Sequence, residues 1–275
     1  MKTFTHDKEY EVQINGEWVK LPILVTKKSG ACTQSLDTIS RQFIAMLTHT
    51  DKVFMMRVDL HMRHYTPNNK DLSNLAEDFK SQIRTEYKRK AKTTNRRKTK
   101  GQRKVNYDIK HIGMMWCREY EKAEDKRQHY HLFLLFDAHV VDNVWTVSKV
   151  IKRMISSTAR YHIFASHWVS NTTLTIKRDD LFNLQRAFRW ASYLAKERGK
   201  GYRDKTANDF SGSRIPINTD KLHLVMPQLN RPELELTLCD PMPTKPKAKP
   251  LTKRTTTRRC TKAVNDTQLD LFAVA

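Results

Sequence analysis

The sequence predicts an α+β fold: an antiparallel central sheet with helices packed mainly on one face, followed by a disordered basic C-terminal tail. Three observations lead there. Apolar residues recur with period two in some segments and near 3.6 in others, and the two kinds of segment interleave along the chain. An Asn-Gly pair sits between two alternating runs near the N-terminus. Beyond Asp240 the composition changes to proline, lysine, arginine and threonine.

The elements follow in order. Tyr10-Glu-Val-Gln-Ile, Asn15-Gly16 and Glu17-Trp-Val-Lys-Leu read as a hairpin closed by a tight type I′ turn. Leu36, Ile39, Phe43 and Leu47 mark a helix over 34–48. Residues 53–62 read as a buried strand, with Arg57, Asp59 and His61 on one face and Phe54, Met56, Val58 and Leu60 on the other. Leu72, Leu75, Phe79 and Ile83 mark a helix over about 71–90, whose end enters a basic run. From Arg84 to Lys104 that run holds eleven Lys/Arg against one Glu, the footprint of a phosphate-backbone contact. Segments 109–119 and 128–136 read as an antiparallel pair. A helix at 143–158, a strand at 168–177 and a helix at 180–197 complete the folded part. No acid occurs between 241 and 263, and four prolines punctuate the segment, so it is expected to stay extended and disordered.

A formal charge of +22 and a pI near 9.9 say little about fold but point to polyanionic partners, above all DNA. No apolar run approaches the ~18 residues that span a bilayer, so no membrane role is expected. The N-terminus has no signal-peptide pattern, which places the chain in a cytoplasm. Cys32, Cys117, Cys239 and Cys260 are scattered, which indicates neither a disulfide scaffold nor a cysteine metal site.

Chemistry concentrates at two places. In His129-Tyr130-His131, residues i and i+2 of a strand project to one face, where two imidazoles can share an ion. If 109–119 pairs with 128–136, the cross-strand partners of the histidines are odd-numbered. Glu119 and Glu121 both qualify, with Glu119 closer to the strand and preferred. Two imidazoles and a carboxylate leave positions open for phosphate oxygens and suit Mg²⁺ or Mn²⁺. Asp59 fits a supporting role behind a ligand better than ligation.

The second place is a tyrosine. Four Y-x-x-K tetrads begin at Tyr87, Tyr107, Tyr193 and Tyr202, and only Tyr193 falls on a strongly amphipathic helix after the H-x-H strand. Continued at 100° per residue, that helix groups Tyr193 with Lys196, Arg186 and Arg189. Cations so placed are expected to favour the phenolate and to hold a phosphate.

Arg57-Val-Asp59-Leu, Trp116-Cys-Arg-Glu119, His129-Tyr-His131-Leu-Phe-Leu-Leu and Ala191-Ser-Tyr193-Leu-Ala-Lys196, in that order over about residues 50–200, resemble the HUH endonuclease superfamily. Within it the likeness is to filamentous-phage (inovirus) replication proteins, the group that includes YagK/YfjJ-like proteins. Tyr130 stands where that pattern has a bulky apolar residue. The resemblance implies an HUH/RRM-like sheet and a rolling-circle initiator that nicks an origin hairpin or single strand. It implies His129, His131 and Glu119 as metal ligands, Tyr193 as nucleophile and Lys196 as the phosphate-orienting cation, with Tyr202 left open as a second nucleophile. Arg186, Arg189, Lys88, Arg89, Arg96, Arg97 and Lys98 would contact DNA.

On this reading residues 1–50 pack a hairpin and helix on the core, 51–235 form the nicking domain, 236–266 a tether, and 267–275 a terminal peptide. Within that peptide Gln268-Leu269-Asp-Leu271-Phe272 resembles the bacterial sliding-clamp-binding motif, a short peptide for an apolar groove. Host helicase and polymerase are further candidate partners. The alternatives are a single-tyrosine relaxase or transposase with the same chemistry, and a non-catalytic basic DNA-binding regulator.

Overall fold

The computed structural model describes residues 3–120, 128–157, 159–161, 164–197 and 208–226. The tether and the clamp-like peptide lie outside the described residues, as do Glu121 and Tyr202.

The hairpin pairs β2 (Glu9–Ile14) with β3 (Glu17–Pro22), preceded by the short β1 (Phe4–Thr5). Asn15 and Gly16 both have positive φ, 53° and 85°, the geometry that a two-residue turn of this hand requires. β1 pairs with β4 (Ala31–Cys32), which leads into α1 (Thr33–His49).

The central sheet has the order β8-β5-β7-β6-β9, with every neighbouring pair antiparallel. Its strands are β5 (Lys52–Met62), β6 (Gly113–Tyr120), β7 (Gln128–Asp137), β8 (Phe164–Lys177) and β9 (Phe210–Gly212). Around it lie α2 (Lys70–Arg96), α3 (Val144–Ser157) and α4 (Leu181–Ala191). The α+β class and its antiparallel sheet match the expectation, and among the described residues no helix is long and apolar enough to cross a membrane.

The distribution of helices differs from the one-face packing expected. One core joins α1 and α4 to Val53, Met55, Phe133 and Leu135, whereas the other joins α2 and α3 to Phe54, Met56, Leu132 and Leu134. The cause is in the strands. Val53-Phe-Met-Met56 and Leu132-Phe-Leu-Leu135 are apolar at both parities, so each face must be covered.

Three details of the elements also differ. α2 runs six residues past the expected end, to Arg96, where the Asn95 side chain bonds both backbone groups of Val105. The expected helix over 180–197 stops being α-helical at Ala191 and finishes as a 3₁₀ turn over Ser192–Ala195. β9 is only three residues long, too short for any periodic signal.

Candidate active site

On one face of the sheet, each central strand changes character at the same level. Along β5 the odd positions pass from Val53 and Met55 to Arg57, Asp59 and His61. Along β7 they pass from Leu135 and Phe133 to His131 and His129, and along β6 from Met115 and Cys117 to Glu119. The apolar halves lie beneath α1 and α4, and the polar halves meet just beyond them. Register completes the assembly. Glu119 and His61 flank His129 directly, while Cys117 and Asp59 flank His131. The β5–β8 ladder shifts register between Met56 and Val58, so the regular pairing breaks at Arg57.

Three donor groups converge on one oxygen. Glu119 Oε2 lies 3.3 Å from His131 Nε2, 3.6 Å from His129 Nε2 and 3.2 Å from the Tyr193 hydroxyl, which donates to it. The other carboxylate oxygen accepts from the Cys117 thiol at 3.8 Å, which helps fix the rotamer. Behind the triad, Asp59 is fully buried and accepts twice from Arg57, at 2.9 and 3.1 Å. It lies 2.8 Å from His131 Nδ1. A buried carboxylate there holds a proton on Nδ1, so Nε2, which donates to Glu119, is the nitrogen that can give up its proton to an ion. Arg57 Nη2 is also 2.9 Å from His131 Nδ1. Both nitrogens then carry protons, so the two donate in parallel to Asp59 rather than to each other.

The donor set fits a divalent cation. One ligand atom from each of Glu119, His129 and His131 can be chosen so that all lie within 4.8 Å of one another. Donors about 2.0–2.1 Å from a common ion sit roughly 3.0–3.4 Å apart, so movements of an ångström or less close the set. Two imidazoles with one carboxylate leave positions for substrate oxygens.

Electrostatics follow the same contacts. Burial works to raise the Glu119 pKa, but the hydrogen bonds and charges of His129 and His131 prevail and hold it well below the carboxylate range. Burial works to lower His131, yet its bonds to Asp59 and Glu119 lift it above the ordinary imidazole value. Asp59 is lowered against its burial by His131 and Arg57.

Tyr193 is set by the 3₁₀ turn that follows α4. Ser192 is fully buried, accepts from Leu24 N–H at 2.9 Å and donates to the Arg189 carbonyl at 2.8 Å. Leu194 and Ala195 are buried in the α1/α4 core, and Glu197 N–H bonds the Gly30 carbonyl at 3.0 Å. The nucleophile candidate is thus held by the N-terminal segment as well as by its own helix.

Two expectations about its surroundings need correction. Among the described residues the cations on the Tyr193 ring are Lys196, 4.4 Å from its centroid, and Arg57, at 5.1 Å. Arg186 instead lies over Phe182 and Trp190 and bonds Asn183, since the change from α to 3₁₀ rotates position 193 out of phase with α4. The phenol pKa is also raised, not lowered. Burial and the Glu119 charge, aided by Cys117, outweigh Arg57.

Arg57 is the residue to which the sequence assigned no role. Its parity with Asp59 and His61 was a legible signal, but nothing in the pattern tied it to Tyr193. His61 stacks on His129 at 5.6 Å and extends the imidazole surface. Lys88, Arg89 and Arg96 lie in the last turns of α2 and Arg97 and Lys98 follow it, on a helix packed against the sheet face opposite the triad.

A family model described as the YagK/YfjJ C-terminal domain matches residues 17–212, a span that contains the triad, Arg57, Asp59, Tyr193 and Lys196. No curated protein and no solved structure matches the chain.

Proposed function

The chain belongs to the YagK/YfjJ C-terminal domain family, and from that premise and its site we propose that it is a tyrosine DNA endonuclease that starts rolling-circle replication in a bacterial cytoplasm. The observation that carries this reading is the meeting of Tyr193 with Glu119, His129 and His131 at a single oxygen.

Residues of this chain account for each requirement of the reaction. The Tyr193 hydroxyl gives up its proton as its oxygen bonds to the scissile phosphorus, the bond from phosphorus to the 3′ oxygen breaks, and that oxygen takes up one proton and leaves as a 3′-OH. The 5′ phosphate stays esterified to Tyr193, which conserves the bond for religation. Lys196 and Arg57 flank the phenol and offset charge on the phosphate. Asp59 holds His131 in the ligating tautomer. A Mg²⁺ or Mn²⁺ ion on Glu119, His129 and His131 would supply Lewis acidity to the phosphate and offset the Glu119 charge that raises the phenol.

Full-length protein incubated with origin-bearing supercoiled DNA and Mn²⁺ is expected to give a nicked circle with protein linked to the 5′ end. DNA bound without cleavage or adduct would leave a non-catalytic regulator in its place. The replicative branch of the proposal, against a relaxase or transposase, draws on the Gln268–Phe272 string as a sliding-clamp ligand. Clamp pull-down should fail for Leu271→Ala/Phe272→Ala, and equal recovery removes that branch.

A further inference from the structure

The basic run at the end of α2 forms a built loop. Asn95 closes it: its side-chain amide donates to the Val105 carbonyl at 2.9 Å, and its Oδ1 accepts from Val105 N–H at 2.8 Å. Lys98 Nζ caps the Arg103 carbonyl from within, and Gly101 takes the positive φ of 96° that the reversal needs. Between those closing bonds lie Arg96, Arg97, Lys98, Lys100, Arg103 and Lys104, six cations with no acid among nine residues. The base of the loop is packed: Tyr107 meets the buried Tyr87 edge-on at 6.4 Å, and Arg84 bonds the Ile109 carbonyl at 3.0 Å.

We propose that this Asn95-closed loop is a finger that grips the backbone of duplex DNA about one helical turn from the phosphate that Tyr193 attacks. The inference rests on the nicking reading for its substrate. Two features select a duplex. Single-strand sites combine cations with aromatic platforms for the bases. Here the aromatics at the base of the loop, Tyr87 and Tyr107, are engaged with each other and with Lys90, and the tip offers only charge and small polar groups. Spacing is the second feature. The N-terminal end of α2 lies at the metal end of the sheet, where Asn69 accepts from the hydroxyl of Tyr130, the residue between the two histidines. The 27 residues of α2, packed on the sheet face opposite the triad, then carry the finger about 39 Å along the helix axis, a length of the same order as the ~34–36 Å of one duplex turn.

The test uses full-length protein in EDTA, so cleavage plays no part. Anisotropy is followed across a salt titration with a 30-base-pair duplex and, separately, a 30-nucleotide oligo-dT strand. For Arg96→Gln/Arg97→Gln/Lys100→Gln, three exposed positions, the slope of log affinity against log salt on the duplex should fall by about 2.7, roughly 0.9 for each phosphate that is no longer neutralised. The slope on oligo-dT should change by less than about one. Asn95→Ala, which alters no charge, should weaken duplex binding at least about threefold by releasing the loop. Equal losses on both probes, an unchanged duplex slope, or wild-type affinity in Asn95→Ala would each overturn the proposal. Absence of any adduct from wild-type protein, with the finger variant still impaired on the duplex, would defeat the nicking reading and leave the finger standing.

Discussion

Tyr193→Phe should remove the covalent protein–DNA adduct entirely and lower nicking by about three orders of magnitude or more, as expected when a nucleophile is deleted from an otherwise intact site. The substitution is well suited to the question because it takes away one oxygen and little else. The ring keeps its place between Lys196 and Arg57, and the 3₁₀ turn keeps its anchors through Ser192, Leu194 and Ala195. The structural cost is one hydrogen bond to Glu119, worth about 1 kcal/mol. A gel-resolved adduct assay with 5′-labelled DNA, run beside a thermal melt, separates lost chemistry from lost folding. Retained adduct would remove Tyr193 from the mechanism and direct attention to the other tyrosines followed by lysine.

The strength of that prediction depends on a geometry only half of which was legible in the sequence. Strand parity gathered His129 and His131 with either Glu119 or Glu121, because a period of two fixes which residues share a face once the pairing is known, and closeness to the strand favoured Glu119. Parity grouped Arg57 with Asp59 and His61 on one face of their strand, and the Asn15-Gly16 pair marked the hairpin turn. What could not be read was anything depending on how elements meet. The 3₁₀ ending of α4 is imposed by Ser192 and Leu194 packing against residues 24–31 and α1, segments far away along the chain. A helix continued at 100° per residue therefore gave Tyr193 Lys196 correctly but Arg186 where the fold supplies Arg57. The phenol's raised pKa was hidden for the same reason, since it depends on burial and on a carboxylate brought in from β6. The second covered face was hinted at by unbroken apolar runs, which strand alternation alone does not interpret.

Glu119→Gln should weaken divalent-cation binding at least about 100-fold, more than the 10–100-fold typical of losing a residue behind a ligand, because it removes the only carboxylate in the triad. Calorimetric titration with Mn²⁺ reads this directly, and nicking should recover in part as Mn²⁺ is raised, since both imidazoles remain. The metal-free protein provides an independent check through pH. Glu119 is held below its ordinary value of 4.5, so its stabilising contribution is present above pH 4.5 and is lost as pH falls through the depressed value. His131 is raised above 6.5, so its contribution is present below pH 6.5 and fades as pH rises through the raised value. Both hold between those two pH values, where wild type should exceed Glu119→Gln in melting temperature by the widest margin, with about 2–4 °C for each kcal/mol in a domain of this size. Above pH 6.5 the metal-free margin should narrow while Mn²⁺ binding to wild type strengthens, because the imidazole must give up its Nε2 proton to ligate. A margin that instead grows steadily towards alkaline pH would mean that Glu119 and His131 are not partners, and the triad would lose its carboxylate.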